Sequence, residues 1–195
     1  MIDTLQRAPA RRALLLIDFQ DDFLCPQGRM PVCRTQVTPV LAAAGRAVAK
    51  ARQAGDFVLA IGNEFRPGDY LMNLLRRHAS IAGSSGSQWT MALPLAGIRY
   101  FPKWAASAFI NPELHAWLRA HDVGTLALSG LFAKACVAAT CRDAMARGYG
   151  VELMSDAIAC GSDASRDRAL ARLQGKGARI ANARHYDPAL ENGKV

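Results

Sequence analysis

At 195 residues, with 51% hydrophobic and 21% charged side chains, the chain can bury one substantial core and is short for two ordinary domains. No apolar run approaches the roughly 20 residues that a membrane-spanning helix needs, because Asp18 ends Ala13-Leu14-Leu15-Leu16-Ile17. The net charge of +8 leaves room for an acidic substrate. Its cations recur singly, however, with Arg76-Arg77-His78 and Arg11-Arg12 the densest spots and no aromatic-basic interleaving, so nucleic acid is not an expected partner.

The first dozen residues carry Arg7, Arg11 and Arg12, but the apolar stretch after them is short and no small-residue cleavage site follows. They read as an N-terminal tail (about 1–12) ahead of a single domain, not as a signal peptide. Ala13 to Phe19, apolar but for Asp18, has the pattern of a strand buried on both faces of a parallel sheet. Thr38-Pro39 then opens a helix. Val40, Leu41, Ala44, Val48 and Ala51 carry it at helical spacing, and Gly55 stands where a left-handed residue would end it. Phe57 to Ile61 is the next buried strand.

From Gly62 to Gly97 the signal weakens, since Pro67, Gly83-Ser84-Ser85-Gly86 and Pro94 break any long element; one short helix is expected around Leu71 to His78. Regularity returns with a strand from Ile98 to Phe101, a helix opened by Asn111-Pro112 and reaching about Ala120, and a strand from Thr125 to Ser129. A helix from about Cys136 to Arg147, a strand from Val151 to Met154, a helix from about Ala164 to Leu173 and a last strand near Ala178 to Ile180 complete the chain. Strands alternating with helices imply right-handed crossovers and an α/β fold, a mostly parallel sheet covered on both faces. Ligands of such sheets bind beyond the carboxyl ends of the strands, which directs attention to Asp18, to Lys103 and to the turn from Gly130 to Cys136.

An ionised Asp18 at the end of an apolar strand is costly unless paired, although an Asp there can also cap the next turn, a duty that Asp21 and Asp22 could share. Lys103, a type usually solvated, lies among Trp104, Phe109 and small residues; a buried Lys needs an anionic partner and could hold a thiolate or oxyanion. Cys136 begins a predicted helix, where free N–H groups favour an anion and lower a thiol from about 8.5 into the reactive range. Cys141 and Cys160 read as small buried core residues instead. The five cysteines are odd in number and lack CxxC spacing, as suits a reducing cytoplasm.

Three stretches together resemble the isochorismatase-like cysteine hydrolase superfamily: Leu16 to Leu24, Lys103 to Phe109, and Ser129 to Val137, continued by Thr140, Asp143-Ala144, Gly148-Tyr149 and Asp156-Ala157. The resemblance implies a three-layer αβα fold and places the family's triad on Asp18, Lys103 and Cys136. It also implies a cis peptide at Leu131-Phe132 and an oxyanion hole from the N–H groups of Phe132 and Cys136. Nicotinamidase-type members carry a metal site after the second strand, where this chain has Asn63-Glu64-Phe65 and His78 cannot replace the missing ligands, so neither metal nor cofactor is expected. The family often has Thr just before the nucleophile, where this chain has Ala133 and Lys134.

The implied reaction is hydrolysis of a carbon-nitrogen bond in a small amide, ureide or carbamoyl compound. True isochorismatases typically lack the cysteine, so Cys136 argues against their vinyl-ether chemistry. A noncatalytic binding or scaffold protein of the same fold is the rival reading, and it would leave Cys136 with ordinary reactivity; a nucleotide-binding oxidoreductase lacks its GxGxxG after the first strand. Trp89, Trp104, Phe109 and Phe132 could line an apolar pocket, and Arg66 or His78 could read a carboxylate, with core packing and surface solvation as the plainer alternatives. The resemblance also implies a homo-oligomer.

Overall fold

The computed structural model describes residues 10–93 and 95–186. Most of the expected tail, and Pro94, lie outside the described residues. Six strands, β1 (Arg11–Ile17), β2 (Phe57–Asn63), β3 (Arg99–Lys103), β4 (Val123–Leu131), β5 (Gly150–Ala159) and β6 (Arg179–Ala181), form one sheet in the order β3-β2-β1-β4-β5-β6. Every pairing is parallel. The helices are α1 (Asp21–Leu24), α2 (Arg34–Gln53), α3 (Tyr70–Leu75), α4 (Pro112–Ala120), α5 (Ala138–Ala146) and α6 (Asp163–Gln174). Ala13 to Ile17 in the middle of the sheet are fully buried, as a strand covered on both faces must be.

The chain steps outward from β1 through β2 to β3, then returns to the other side of β1 with β4. That reversal opens a crevice at the carboxyl ends of β1 and β4, the place where open α/β sheets bind ligands. The register brings the strand ends level: Ile17 pairs with both Ile61 and Gly130, and Asn63 pairs with Lys103.

Three elements differ from the sequence expectation. Helix α2 starts at Arg34, and Pro39, expected to open it, lies inside. Its missing N–H is tolerated because the first turns are anchored elsewhere: buried Gln36 donates to Asp163 Oδ1 at 2.9 Å and accepts from the Cys160 N–H at 2.9 Å. Strand β5 runs on through polar Ser155 and Asp156 to Ala159. Both polar side chains find partners on the last segment, Ser155 Oγ donating to Ala181 O and Asp156 Oδ1 accepting from the Ala183 N–H. Finally, Ala133–Val137 form a single π-helical turn, and α5 begins only after it.

Candidate active site

Each group of the candidate site is delivered by a strand end. Asp18 follows β1 and takes a left-handed conformation, φ 61°, which Asp tolerates better than most side chains. The Asp18 N–H is fixed to Ile61 O at 2.8 Å. The turn-capping duty that competes with a chemical role falls on Asp22 instead, whose carboxylate accepts from the N–H groups of Ser80 at 2.7 Å and Arg29 at 3.1 Å. Asp18 is thereby left for other work.

Lys103, the last residue of β3, turns inward and is completely buried. Its Nζ stands 3.1 Å from Asp18 Oδ2 and donates to Asn63 Oδ1 at 2.6 Å, to Ala105 O at 3.2 Å and to Cys136 Sγ at 3.4 Å. Cys136 arrives from β4 through the π-helical turn. Where β4 passes β1, Gly130 has φ 148° and a Cβ there would sit 2.3 Å from Ile17 O, so only glycine allows the approach. The following Leu131-Phe132 peptide is cis.

Burial sets the electrostatics. It pushes the Asp18 carboxyl up, while the Lys103 charge and hydrogen bonding with the Cys136 thiol pull it back. The Cys136 thiol is pushed up to about 12, first by burial and then by the neighbouring Asp18 charge, against the pull of Lys103. This is the reverse of the lowering expected from a helix start. Two reasons are visible: the nucleophile sits within the π turn ahead of α5, and it is only 9% exposed. The resting site therefore holds a protonated thiol beside the buried Asp18 carboxyl group, with Lys103 Nζ in contact with both.

A model of the isochorismatase domain matches residues 12–185 of this chain. The chain belongs to the isochorismatase family. A ureidoacrylate amidohydrolase from Methylobacterium radiotolerans is 28% identical over 207 residues, covering 93% of this chain and 80% of that protein. The solved N-carbamoylsarcosine amidase from Thermoplasma acidophilum superposes with TM-score 0.76 at 27% identity, covering 89% of this chain and 96% of that one. An isochorismatase-like hydrolase from Alkaliphilus metalliredigens, at 23% identity and TM-score 0.83 over 91% of this chain and 97% of its own, shares the fold.

Within this isochorismatase-family site, two residues escape a reading of the sequence. Asn63 links Lys103 to the sulfur, with Oδ1 facing the ammonium and Nδ2 3.9 Å from Cys136 Sγ. Gln20, fully buried, exchanges two hydrogen bonds of 2.8 Å with the Asn63 backbone and donates to Ser87 O at 2.7 Å. It continues the pairing of β1 and β2 with a side chain. The only signal in the sequence is that Asn63 occupies the first position of the stretch where metal-binding members have ligands. Among the described residues, no group of three His, Cys, Asp or Glu side chains is placed to hold a metal ion.

The six side chains considered for substrate contact are dispersed. Trp89 packs its ring between Phe19 and Tyr100 and donates to Leu93 O. Phe109 is buried in a stack on Tyr149, beside His115. Arg66 is exposed, as is His78. Trp104, directly after Lys103, is 37% exposed, so the burial of Lys103 does not depend on it. Phe132, by contrast, meets Phe23 edge-on at 5.7 Å and is nearly buried beside the nucleophile turn.

Proposed function

We propose that the chain is a cysteine hydrolase that cleaves the carbon-nitrogen bond of a small amide, ureide or carbamoyl compound through a thioester. The observation that carries this reading is the buried contact set of Lys103 with Asp18 at 3.1 Å and with Cys136 Sγ at 3.4 Å. A buried lysine touching both a carboxyl group and a thiol is costly to build, and such sites are where perturbed acids do chemistry. The amidohydrolase and amidase activities named for the relatives support the same bond type.

In this mechanism Cys136 Sγ attacks the carbonyl carbon while its proton passes to Asp18, and Lys103 stabilises the charge that moves between them. The N–H groups of Phe132 and Cys136 hold the oxyanion, worth about 2.7–4 kcal/mol per donor in comparable sites. The carbon-nitrogen bond breaks as Asp18 returns its proton to the leaving nitrogen. Water then adds to the thioester with Asp18 as base, the carbon-sulfur bond breaks, and sulfur recovers a proton. The net reaction consumes one water and releases an acid and an amine, with no cofactor required. Trp104, exposed and adjacent to Lys103, is the side chain of the six that we carry forward as a wall of the substrate site.

The test is ammonia release across small amides, ureides and carbamoyl acids, with Cys136→Ala as control. Turnover of at least one compound, lost by about 10³-fold or more in the variant, is the expected result. Wild-type rates in Cys136→Ala would refute the thioester route. A homo-oligomer in a reducing cytoplasm completes the proposal. Its support is the short helix α3, where Tyr70, Leu71, Leu74 and Leu75 are 65–80% exposed, together with five free cysteines. A monomeric mass by light scattering at micromolar concentration is the outcome that rules the oligomer out.

A further inference from the structure

The basic residues that recur singly along the sequence do not stay dispersed in the fold. A groove of about 270 Å³ between α6 and the segment from the nucleophile turn into α5 is lined by Lys134, Arg142, Arg168, Arg172 and Lys176. Their spacing explains the convergence. Lys134 on the π-helical turn and Ala138 and Arg142 on α5 follow at intervals of four, Ser165, Arg168, Ala169 and Arg172 follow along α6 at intervals of three, one and three, and Lys176 lies just past its end, so each set runs as one stripe. Where the stripes face each other, buried Ala138, Ala169 and Leu173 provide an apolar floor and the five exposed cations stand around it.

No Asp or Glu lines this groove, and none of the five cations has an ion-pair partner among the described residues. Elsewhere Arg12, Arg46, Lys103, Arg166 and Arg179 pair with carboxylates while others, Arg34 and Arg119 among them, also lack an ion pair among the described residues, so what sets the five apart is that they line one groove. Complementing the α6 dipole would account for Arg172 in its last turn and Lys176 just past its end, but not for Lys134 and Arg142 from the opposite wall. Ser165 adds a neutral donor. Its Oγ accepts from Ser162 Oγ at 3.0 Å, which leaves the Ser165 hydroxyl hydrogen to be given away.

We infer that this groove binds a small polyanion carrying two or three linked phosphates, either free or as the phosphate chain of a nucleotide. Concave walls of one sign concentrate the field where a compact multivalent anion can meet several cations at once. Two or three guanidinium forks suit phosphate oxygens in a way that scattered lysines do not. The charges surround a cavity rather than run as a track, and no aromatic side chain lines it for base stacking, which favours a compact anion over a nucleic-acid strand. The site shares no residue with Asp18, Lys103 and Cys136, yet Lys134 lies on the π-helical turn that carries the nucleophile, so an occupant touches the segment that positions Cys136.

The experiment is calorimetric titration of the full chain with inorganic triphosphate, adenosine triphosphate, inorganic phosphate and a single-stranded oligonucleotide, at low and moderate salt. Saturable binding of triphosphate at one per chain is expected, weaker binding of monophosphate, and loss of affinity with salt. Equal affinity for the two triphosphates assigns the phosphate chain alone as ligand, and tighter binding of the nucleotide assigns the nucleotide. The double variant Arg168→Gln/Arg172→Gln should weaken triphosphate by tenfold or more. A control that removes the same charge elsewhere, Arg34→Gln/Arg119→Gln, should change it by less than threefold. Absence of saturable triphosphate binding overturns the inference, as does an equal loss in both variants or binding of the oligonucleotide alone. No turnover is read, so the result stands apart from the fate of the amide-hydrolysis proposal.

Discussion

The two ends of the central sheet each hold a cluster of charges, and they use them differently. At the amino end, Arg12 Nε meets Asp56 Oδ2 at 2.7 Å and its Nη1 meets Glu152 Oε2 at 3.3 Å, while its guanidinium lies 4.0 Å over the Tyr186 ring. Tyr186 also donates to Asp56, and Arg179 pairs with Glu152. Each carboxylate there has two partners, so the cluster ties β1, β5 and the last described segment together. At the carboxyl end, Asp18 and Lys103 are both wholly excluded from solvent, and the lysine divides itself between the carboxylate and the thiol. A carboxylate satisfied twice over is a fastener. One that shares a single cation with an acidic neighbour can move a proton.

Substitutions can break this contrast, and the largest effect belongs to the carboxyl end. Asp18→Asn removes the proton acceptor and should lower kcat by about 10²–10⁴ while circular dichroism stays native; a kcat within threefold of wild type would move the base elsewhere. Next in size is the stability cost of Lys103→Met, about 3–5 kcal/mol, because it strands a buried carboxylate. Adding Asp18→Asn to Lys103→Met should restore most of that loss in urea unfolding, and strictly additive costs would show that the pair is not coupled. At the amino end, Asp56→Asn should cost about 1–3 kcal/mol and leave kcat unchanged, since it touches packing alone.

A further effect is one of pH. The Cys136 thiol is held at about 12 in the folded chain, above its unfolded value near 8.5. The stability it contributes is therefore complete below the unfolded value and is lost as pH rises toward 12. Wild type should lose ground to Cys136→Ala in denaturation midpoints measured between pH 8.5 and 11, and parallel curves would show an unshifted thiol.

The parallel sheet is legible because its inner strands are short apolar runs between breakers, and Ala13 to Ile17 can be little else. The three chemical residues are legible for a related reason: each polar side chain ends such a run. What escapes depends on contacts that local sequence does not encode. Gln20 and Asn63 look like ordinary loop amides until the level ends of β1 and β2 bring them together. Pro39 sits within a helix because distant Cys160 and Asp163 anchor Gln36. A helix start, read locally, predicts a lowered Cys136 thiol, whereas the burial and the Asp18 charge that raise it are supplied by the whole fold.

The order of the strands has a consequence for how the site comes into being. Asp18 and Lys103 arrive from the part of the chain before α4 and Cys136 from the part after it, across the seam where Ile17 pairs with Gly130. Contacts between residues so far apart in sequence are among the slowest to form. The sheet can thus be nearly built on both sides while the chemistry is still absent. During refolding, the return of Cys136-dependent turnover would time the closing of that one seam, and a chain cut in the connection between α4 and β4 would regain it only when the two fragments meet.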